Sequence, residues 1–361
     1  MAPLRLNVRR YEQFCCYLTT LFPKALTSGL YVYGLYGLIF ELCIPLIGGV
    51  KGFVIASLGL LIFAQGVYTY FKVISAGPGS PLDFPELRSH EGVGDVGEEE
   101  PLTRETPDDV ETQIGTRNTI TDPPPQFLVD HSVQVKSNGR MRYCNKCACW
   151  KPDRCHHCST CNRCQLKMDH HCPWFASCVG FRNHKFFIQF LLLSVVYANL
   201  IFFASAAKLY SFFMDEEYLE DYISINLLIL GILSFTMSIS VGLFTLMTLY
   251  LLLRNTTTIE SQDASRYRNN MSIIEDSYYK YSRQPNSSDM GNVYNLGFRG
   301  NWCAVMGSSW YEWVLPVFNR PSGDRYKDNG LYFDTDRQIY NKLQQNTRVQ
   351  QQLLEQLNGL Q

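Results

Sequence analysis

Nine cysteines and four histidines fall within the 35 residues from Cys144 to Cys178, too dense a run to fold around an apolar core. Zinc takes four thiolate or imidazole ligands in a tetrahedron, and closed structural sites draw them from Cys-x2-Cys knuckles and nearby histidines. Cys144 and Cys147 form one knuckle and Cys158 and Cys161 a second. Cys164, Cys178, one histidine near 157 and one near 171 complete two sets of three cysteines and one histidine. The predicted cysteine-rich module is therefore small, with metal supplying its core. Cys172 is left over. On spacing alone it reads either as a spare ligand or, with His170 and Asp169 beside it, as the thiol of an activated nucleophile with its base and orienting carboxylate. Cys149 and Cys155 fall outside the two-site count and read as packing thiols.

The remainder of the chain is dominated by apolar runs. A bilayer core of about 30 Å takes about 20 helical residues, and four stretches are long enough: Leu30 to Ile47, Gly52 to Ile74, Phe186 to Leu209 and Ile223 to Leu253. Gly48 and Gly49 leave only a tight turn between the first two, and the fourth is long enough to tilt or to extend past the membrane. Glu41, Gln65, Asn199 and Asn226 are the polar groups within the spans and read as interhelical hydrogen-bonders. Arg5, Arg9, Arg10 and Lys24 precede the first span and Arg254 closes the fourth, whereas Asp215, Glu216, Glu217, Glu220 and Asp221 lie between the third and fourth. This asymmetry predicts both termini, and the cysteine-rich segment, on the cytosolic side. Cytosolic placement also fits the many reduced thiols that metal binding needs, and it makes the glycosylation sequons at Asn255, Asn270 and Asn286 silent. Pro23 and Lys24 interrupt the apolar stretch after the basic first ten residues, so no cleavable signal peptide is expected.

The chain has 361 residues, 46% of them hydrophobic, and a net charge of −1, which gives no nucleic-acid footprint. Glu86 to Pro125 is acidic and poor in large apolar residues, the composition of a disordered insert. Phe127 to Lys136 alternates, and Ser137-Asn138-Gly139 offers a hairpin turn into the first knuckle. No internal repeat is evident. Ile339, Leu343, Val349, Leu353, Leu354 and Leu357 outline a weakly amphipathic terminal helix, exposed and frayed. Cys15 and Cys16 lie beside the first span, where a juxtamembrane pair is either an acylation site or simple packing.

The order Asp169-His170-His171-Cys172 within this array resembles the DHHC cysteine-rich protein S-acyltransferases, the membrane palmitoyltransferases. The likeness covers the metal segment, the four spans, Thr257-Thr258-Ile259-Glu260 after the last span, and Asn301-Trp302 with Val305-Met306-Gly307 in the tail. Gly77 to Pro85, Trp174-Phe175-Ala176 and Gly330-Leu331-Tyr332-Phe333 are similar to the fungal vacuolar branch, which implies the vacuolar membrane. One departure is Ala176-Ser177, where many members carry Asn-Asn. The resemblance implies two structural zinc ions, one on Cys144, Cys147, His157 and Cys164, the other on Cys158, Cys161, His171 and Cys178. It implies catalysis by Cys172, His170 and Asp169. It also implies bracing roles for Thr257, Thr258, Glu260 and Asn301. The fold expected is an α-helical integral membrane protein of four transmembrane helices with a small zinc-stabilised cytosolic domain. Its parts are a cytosolic N-terminus (1–29), two spans (30–74), a largely disordered cytosolic loop (75–126), the zinc domain (127–185), two spans joined by an acidic lumenal loop (186–253) and a cytosolic tail (254–361).

Acyl transfer between thioester and thiol is nearly balanced in energy, so a relay through an acyl-enzyme is a natural ping-pong route. Palmitoyl-CoA or another acyl-CoA is the expected donor, and membrane-associated proteins with accessible cysteines are the expected acceptors. Lys167, Arg182 and Lys185 flank the site and could meet the CoA phosphates, or could serve as ordinary positive-inside charges. The acyl chain would run along the third span, with Tyr197, about 16 Å below Phe186 at 1.5 Å per residue, over Gly34 of the first span as the cavity floor, or packed on lipid without touching substrate. Two rival classes are a membrane-anchored zinc interaction or ubiquitin-ligase-like module, which needs no activated Cys172, and a channel or transporter, which needs more ionisable groups in its spans than these carry.

Overall fold

Long helices carry most of the chain in the computed structural model, which describes residues 3–89, 123–134, 141–214, 224–263 and 291–342, with side chains from Thr20 onward. The acidic residues between the third and fourth spans, Ser137-Asn138-Gly139, Asn270, Asn286 and everything from 343 on lie outside the described residues, as do the side chains of Cys15 and Cys16.

Helix α1 (Pro3–Tyr36) continues as a π-helix over Gly37–Ile47, α2 covers Gly49–Ala76, α4 His184–Met214 and α5 Ile225–Leu253. Four segments are long and apolar enough to cross a membrane: Thr20–Pro45, Gly49–Ala76, His184–Met214 and Ile225–Leu253. The first begins about one turn before Pro23, which does not end the helix; the carbonyl of Pro23 accepts from the Thr27 hydroxyl at 2.8 Å. Helices α1 and α2 approach closely because α2 turns glycines to its partner. A Cβ at Gly59 would stand 2.2 Å from Leu38, and one at Gly66 would stand 2.8 Å from Tyr31. The polar groups in the spans bond between helices: Ser224 and Asn226 donate to Glu41 at 3.1 and 3.2 Å, and Ser238 donates to Asn199 at 3.0 Å.

Phe127 to His131 is not extended, and the end of the alternating stretch, 135–136, lies outside the described residues. Gln126–His131 forms a short helix, α3, and its Leu128 packs with Phe84, Leu87, Trp150 and Leu331. The alternation read over Phe127 to Lys136 fails over its first half, where so short a pattern cannot separate a strand from one and a half helical turns. The segment from Gly77 to Ser89, including the first residues of the expected disordered insert, is folded onto the cysteine-rich module. The Ser80 hydroxyl donates to the carbonyl of Cys164 at 2.7 Å, and the Leu166 amide donates to the carbonyl of Gly79 at 3.0 Å.

The tail does not stand apart from the bundle. Helices α6 (Gly297–Met306) and α7 (Trp310–Val314) lie along it. The buried amide of Gln189 in α4 lies 2.9–3.1 Å from the carbonyls of Glu312, Trp313 and Leu315, and Gln65 in α2 reaches the carbonyl of Val314 at 2.7 Å. Backbone that leaves a helix beside membrane spans needs its carbonyls satisfied by protein, and two glutamines supply those donors. Asn301 donates to the carbonyl of Leu253 at 2.7 Å, closing the end of α5.

Candidate active site

Three two-stranded hairpins build the cysteine-rich module: β1 (Tyr143–Cys144) with β2 (Cys149–Trp150), β3 (His156–Cys158) with β4 (Arg163–Gln165), and β5 (His170–Cys172) with β6 (Ser177–Val179). Their registers coincide: Tyr143 faces Trp150, His157 faces Cys164 and His171 faces Cys178, at intervals of 14 residues. The turns repeat as well, with Ala148, Asn162 and Ala176 all left-handed at φ of 47°, 48° and 46°. The chain thus contains a 14-residue internal repeat, correcting the reading that it has none. Substituted positions hid it, and the doubled His-His-Cys at 156–158 and 170–172 was the signal that could have exposed it.

Each potential metal site joins the knuckle of one hairpin to the base of the next. Cys144, Cys147, His157 and Cys164 form one group and Cys158, Cys161, His171 and Cys178 the other, all ligand atoms within 4.8 Å of one another. His157 Nδ1 lies 3.7, 3.2 and 3.9 Å from the sulfurs of Cys144, Cys147 and Cys164. His171 Nδ1 lies 3.7, 3.4 and 3.6 Å from those of Cys158, Cys161 and Cys178. Zinc bonds of about 2.3 Å to sulfur and about 2.0 Å to nitrogen put tetrahedral ligands roughly 3.5–3.8 Å apart, so both donor sets fit zinc. Cys149 and Cys155 are fully buried against Cys144 and Cys164 and lie outside both groups.

The third hairpin repeats the pattern with one change. Cys172 stands where Cys144 and Cys158 stand, but Phe175 occupies the position of Cys147 and Cys161. Among the described residues no further hairpin follows to supply a base; the chain enters α4. The sulfur of Cys172 is therefore left out of both metal groups for a structural reason. Strand alternation then separates the two adjacent histidines: His171 turns to the second metal group, while His170 and Cys172, two residues apart, share the other face.

On that face Asp169 Oδ2 accepts a 2.7 Å hydrogen bond from His170 Nδ1. Asp169 is fixed in turn by Thr258, whose amide and hydroxyl both donate to it at 2.8 Å. Thr258 is held because the neighbouring Glu260 grips Arg154, with contacts of 2.7 and 2.9 Å, beneath the Asn255 carbonyl and side chain. The buried Asn255 also makes that sequon unsuitable for modification. Burial alone would raise the Asp169 carboxyl, yet its bond to His170 and the adjacent cations hold it well below the usual range. Burial lowers His170, but its bonds to Asp169 and to Cys172 prevail and raise it to about 9.

Cys172 opens onto a cavity of about 450 Å³ between the spans, lined by Phe187, Phe190 and Leu191 near the sulfur and by Tyr197, Ile201 and Leu230 farther in. Tyr197 and Gly34 both line it. A Cβ on Gly34 would lie 3.2 Å from the Tyr197 ring and 3.0 Å from Ile201, and the Tyr197 hydroxyl donates to the carbonyl of Tyr31 at 3.1 Å. Tyr31 and Ser194, bonded to each other at 2.5 Å, were not anticipated from sequence. Lys167, Arg182 and Lys185 do come together, but around a second cavity of about 460 Å³ that Cys172 does not line.

A family profile described as DHHC palmitoyltransferase matches residues 137–265, spanning all three hairpins and the Thr257–Glu260 brace. The chain is 39% identical to Palmitoyltransferase PFA3 of Debaryomyces hansenii, over 97% of this chain and 91% of that one. It is 37% identical to Palmitoyltransferase PFA3 of Saccharomyces cerevisiae, over 93% and 92% of the two chains. The corresponding protein of Candida albicans is 35% identical, over 98% and 93%. Likeness at this level from end to end extends well beyond the metal segment, and the chain belongs to the DHHC palmitoyltransferase family.

Proposed function

We propose that the chain moves a long-chain acyl group, palmitoyl in the first instance, from acyl-CoA through a thioester on Cys172 to cysteine thiols of membrane-associated proteins. The observation that carries this reading is that Cys172, on the same strand face as the His170–Asp169 pair, opens directly onto the apolar cavity between the spans. A membrane-anchored zinc or ubiquitin-ligase-like module has no use for such a cavity.

His170 takes the proton of the Cys172 thiol, and Asp169 stabilises the imidazolium that results. The sulfur attacks the thioester carbonyl carbon, the carbon–sulfur bond to CoA breaks, and the departing CoA sulfur collects the proton from His170. In the second half-reaction a substrate thiol gives its proton to His170 and attacks the acyl carbon. The Cys172 sulfur then leaves and is reprotonated. The chain itself needs an apolar sheath, since each buried CH2 is worth about 0.8 kcal/mol, and the cavity supplies one with Tyr197 over Gly34 at its floor. Zinc on Cys144, Cys147, His157 and Cys164, and on Cys158, Cys161, His171 and Cys178, supplies structural crosslinks to the three hairpins.

Both termini and the hairpins face the cytosol in this reading, which the basic flanks of the first and fourth spans support. The vacuolar-branch resemblance of Gly77 to Pro85 and Gly330 to Phe333 supports work at the vacuolar membrane. Incubating the purified chain with palmitoyl-CoA should give one hydroxylamine-labile adduct. Cys172→Ser should abolish the adduct and transfer while keeping two zinc ions per chain; loss of a zinc in that variant would make Cys172 a ligand and end the reading.

A further inference from the structure

The second cavity is bounded by the end of α2 at Ser75 and Ala76, by the start of α4, and by the C-terminal segment at Val305, Phe318 and Asn319. Its basic groups are unusually enclosed: Lys167, His184 and Lys185 are 5%, 6% and 5% exposed. Among the described residues, neither ammonium has a carboxylate within ion-pair distance. Lys185 Nζ donates to the neutral Asn319 Oδ1 at 2.7 Å, and Lys167 Nζ lies 5.7 Å from the centre of the Phe333 ring. His184 Nδ1 is buried without a hydrogen-bond partner. Arg182 adds a guanidinium that is 3.8 Å from Asp83. One carboxylate, Asp328, is among the lining residues, and its oxygens are taken by the Ser322 and Gly323 amides and the Ser322 hydroxyl.

Glu312 acts on Lys185, and Glu260 and Asp169 act on Lys167, only from beyond ion-pair distance; burying cations without a direct anionic contact is costly, so this arrangement favours an anion. A phosphate ester supplies several acceptor oxygens to such donors at once. Phe186 and Phe318 give the cavity an apolar side, and its place at the ends of two spans is the level of lipid headgroups, where basic pockets between helices bind phosphorylated lipids. We propose that this cavity is a phosphate-binding site, filled by the headgroup phosphate of an anionic membrane phospholipid. The phosphates of the CoA donor share the chemistry but fit the position less well. Phe186 and Phe187 are about 100° apart around α4 and face different cavities, and the two cavities share no lining residue. The site stands whether or not Cys172 carries the acyl group.

The test is native mass spectrometry of the full chain in detergent with phosphatidylinositol 4-phosphate or phosphatidylcholine added. Wild type should retain the phosphoinositide at least about tenfold more strongly. Lys185→Gln and Arg182→Gln should each reduce that retention about fivefold, as expected for one cation near a lipid surface, with zinc content unchanged. Lys185→Arg should restore it. Arg182 is partly exposed, so its variant remains informative if Lys185→Gln does not fold. A second arm adds excess CoA and measures KM for palmitoyl-CoA in the same variants. Retention unaffected by CoA assigns the phosphate to lipid, while displacement by CoA with a raised KM assigns it to the donor; either supports the phosphate site. Equal retention of both lipids, with retention and KM unchanged in Arg182→Gln, overturns it.

Discussion

If Tyr197 and Gly34 form the floor of the acyl cavity, as proposed, the enzyme's preference among donors should report it. The Tyr197 ring is 4% exposed, stacked on Tyr31 at 5.3 Å, and stands over Gly34, where an added Cβ would already be 3.0–3.3 Å from Ile201 and Tyr197. Tyr197→Ala opens the floor. If the room admits two more methylenes, an 18-carbon donor gains up to about 1.6 kcal/mol over a 16-carbon donor, or about 15-fold in preference. Truncation also removes the hydrogen bond to Tyr31, at about 1 kcal/mol of stability. The measurement is therefore a ratio within one sample, in which loss of folded enzyme cancels: stearoyl-CoA and palmitoyl-CoA compete, and the masses of the acyl-enzyme are counted. Gly34→Phe should move the ratio toward 14-carbon and shorter donors, with Gly34→Ala a milder step in the same direction. Unchanged profiles in Tyr197→Ala and Gly34→Phe, both folded and active, would remove these residues from the cavity.

His171→Ala should lower zinc content and melting temperature, whereas His170→Ala and Asp169→Asn should keep two zincs and slow acylation at least about 100-fold, the usual scale of general-base catalysis; metal analysis showing equal zinc loss for both histidines would contradict the split. Because His170 is raised from 6.5 to about 9, its contribution to stability is complete below pH 6.5 and is lost as pH climbs through about 9. The melting-temperature gap between wild type and His170→Ala should therefore narrow across that window, and a gap that stays constant would refute the shift. Glu260→Ala leaves the 1%-exposed Arg154 without its carboxylate, at a cost of about 3–5 kcal/mol. Calorimetry should record a marked fall in melting temperature, and a neutral result would show that Asn255 alone suffices.

What could be read from sequence follows from how local each constraint is. Lipid demands about 20 apolar residues in a row for each span, so the four helices were visible as runs, and only their ends moved, as at Pro23. Knuckle spacing is equally local, which is why two metal groups were expected, while the histidine and base cysteine that join each knuckle came from the family resemblance. The brace from Thr258 to Asp169 joins residues 89 apart, and no pattern within either segment encodes it. The same holds for Gln189 and Gln65, whose carbonyl partners lie more than 120 residues away. Ala176 is an instructive miss. Its departure from the family's Asn-Asn was visible in sequence, but not that its position is left-handed, a conformation that asparagine tolerates better than alanine. Lys167, Arg182 and Lys185 line one cavity, yet sequence could not say that it differs from the cavity Cys172 opens onto.

The offset between hairpins also fixes an order of events during synthesis. The first metal group has all its ligands once Cys164 has emerged, and the second once Cys178 has. Tyr197, at the far end of the cavity, is made 25 residues after Cys172, and Leu230 of α5 later still. The nascent chain can therefore fix the geometry around its reactive sulfur before any pocket exists to receive a fatty tail. Competence then waits for α4 and α5 to join the two spans made before the hairpins, so the pocket is the last part of the site to be completed.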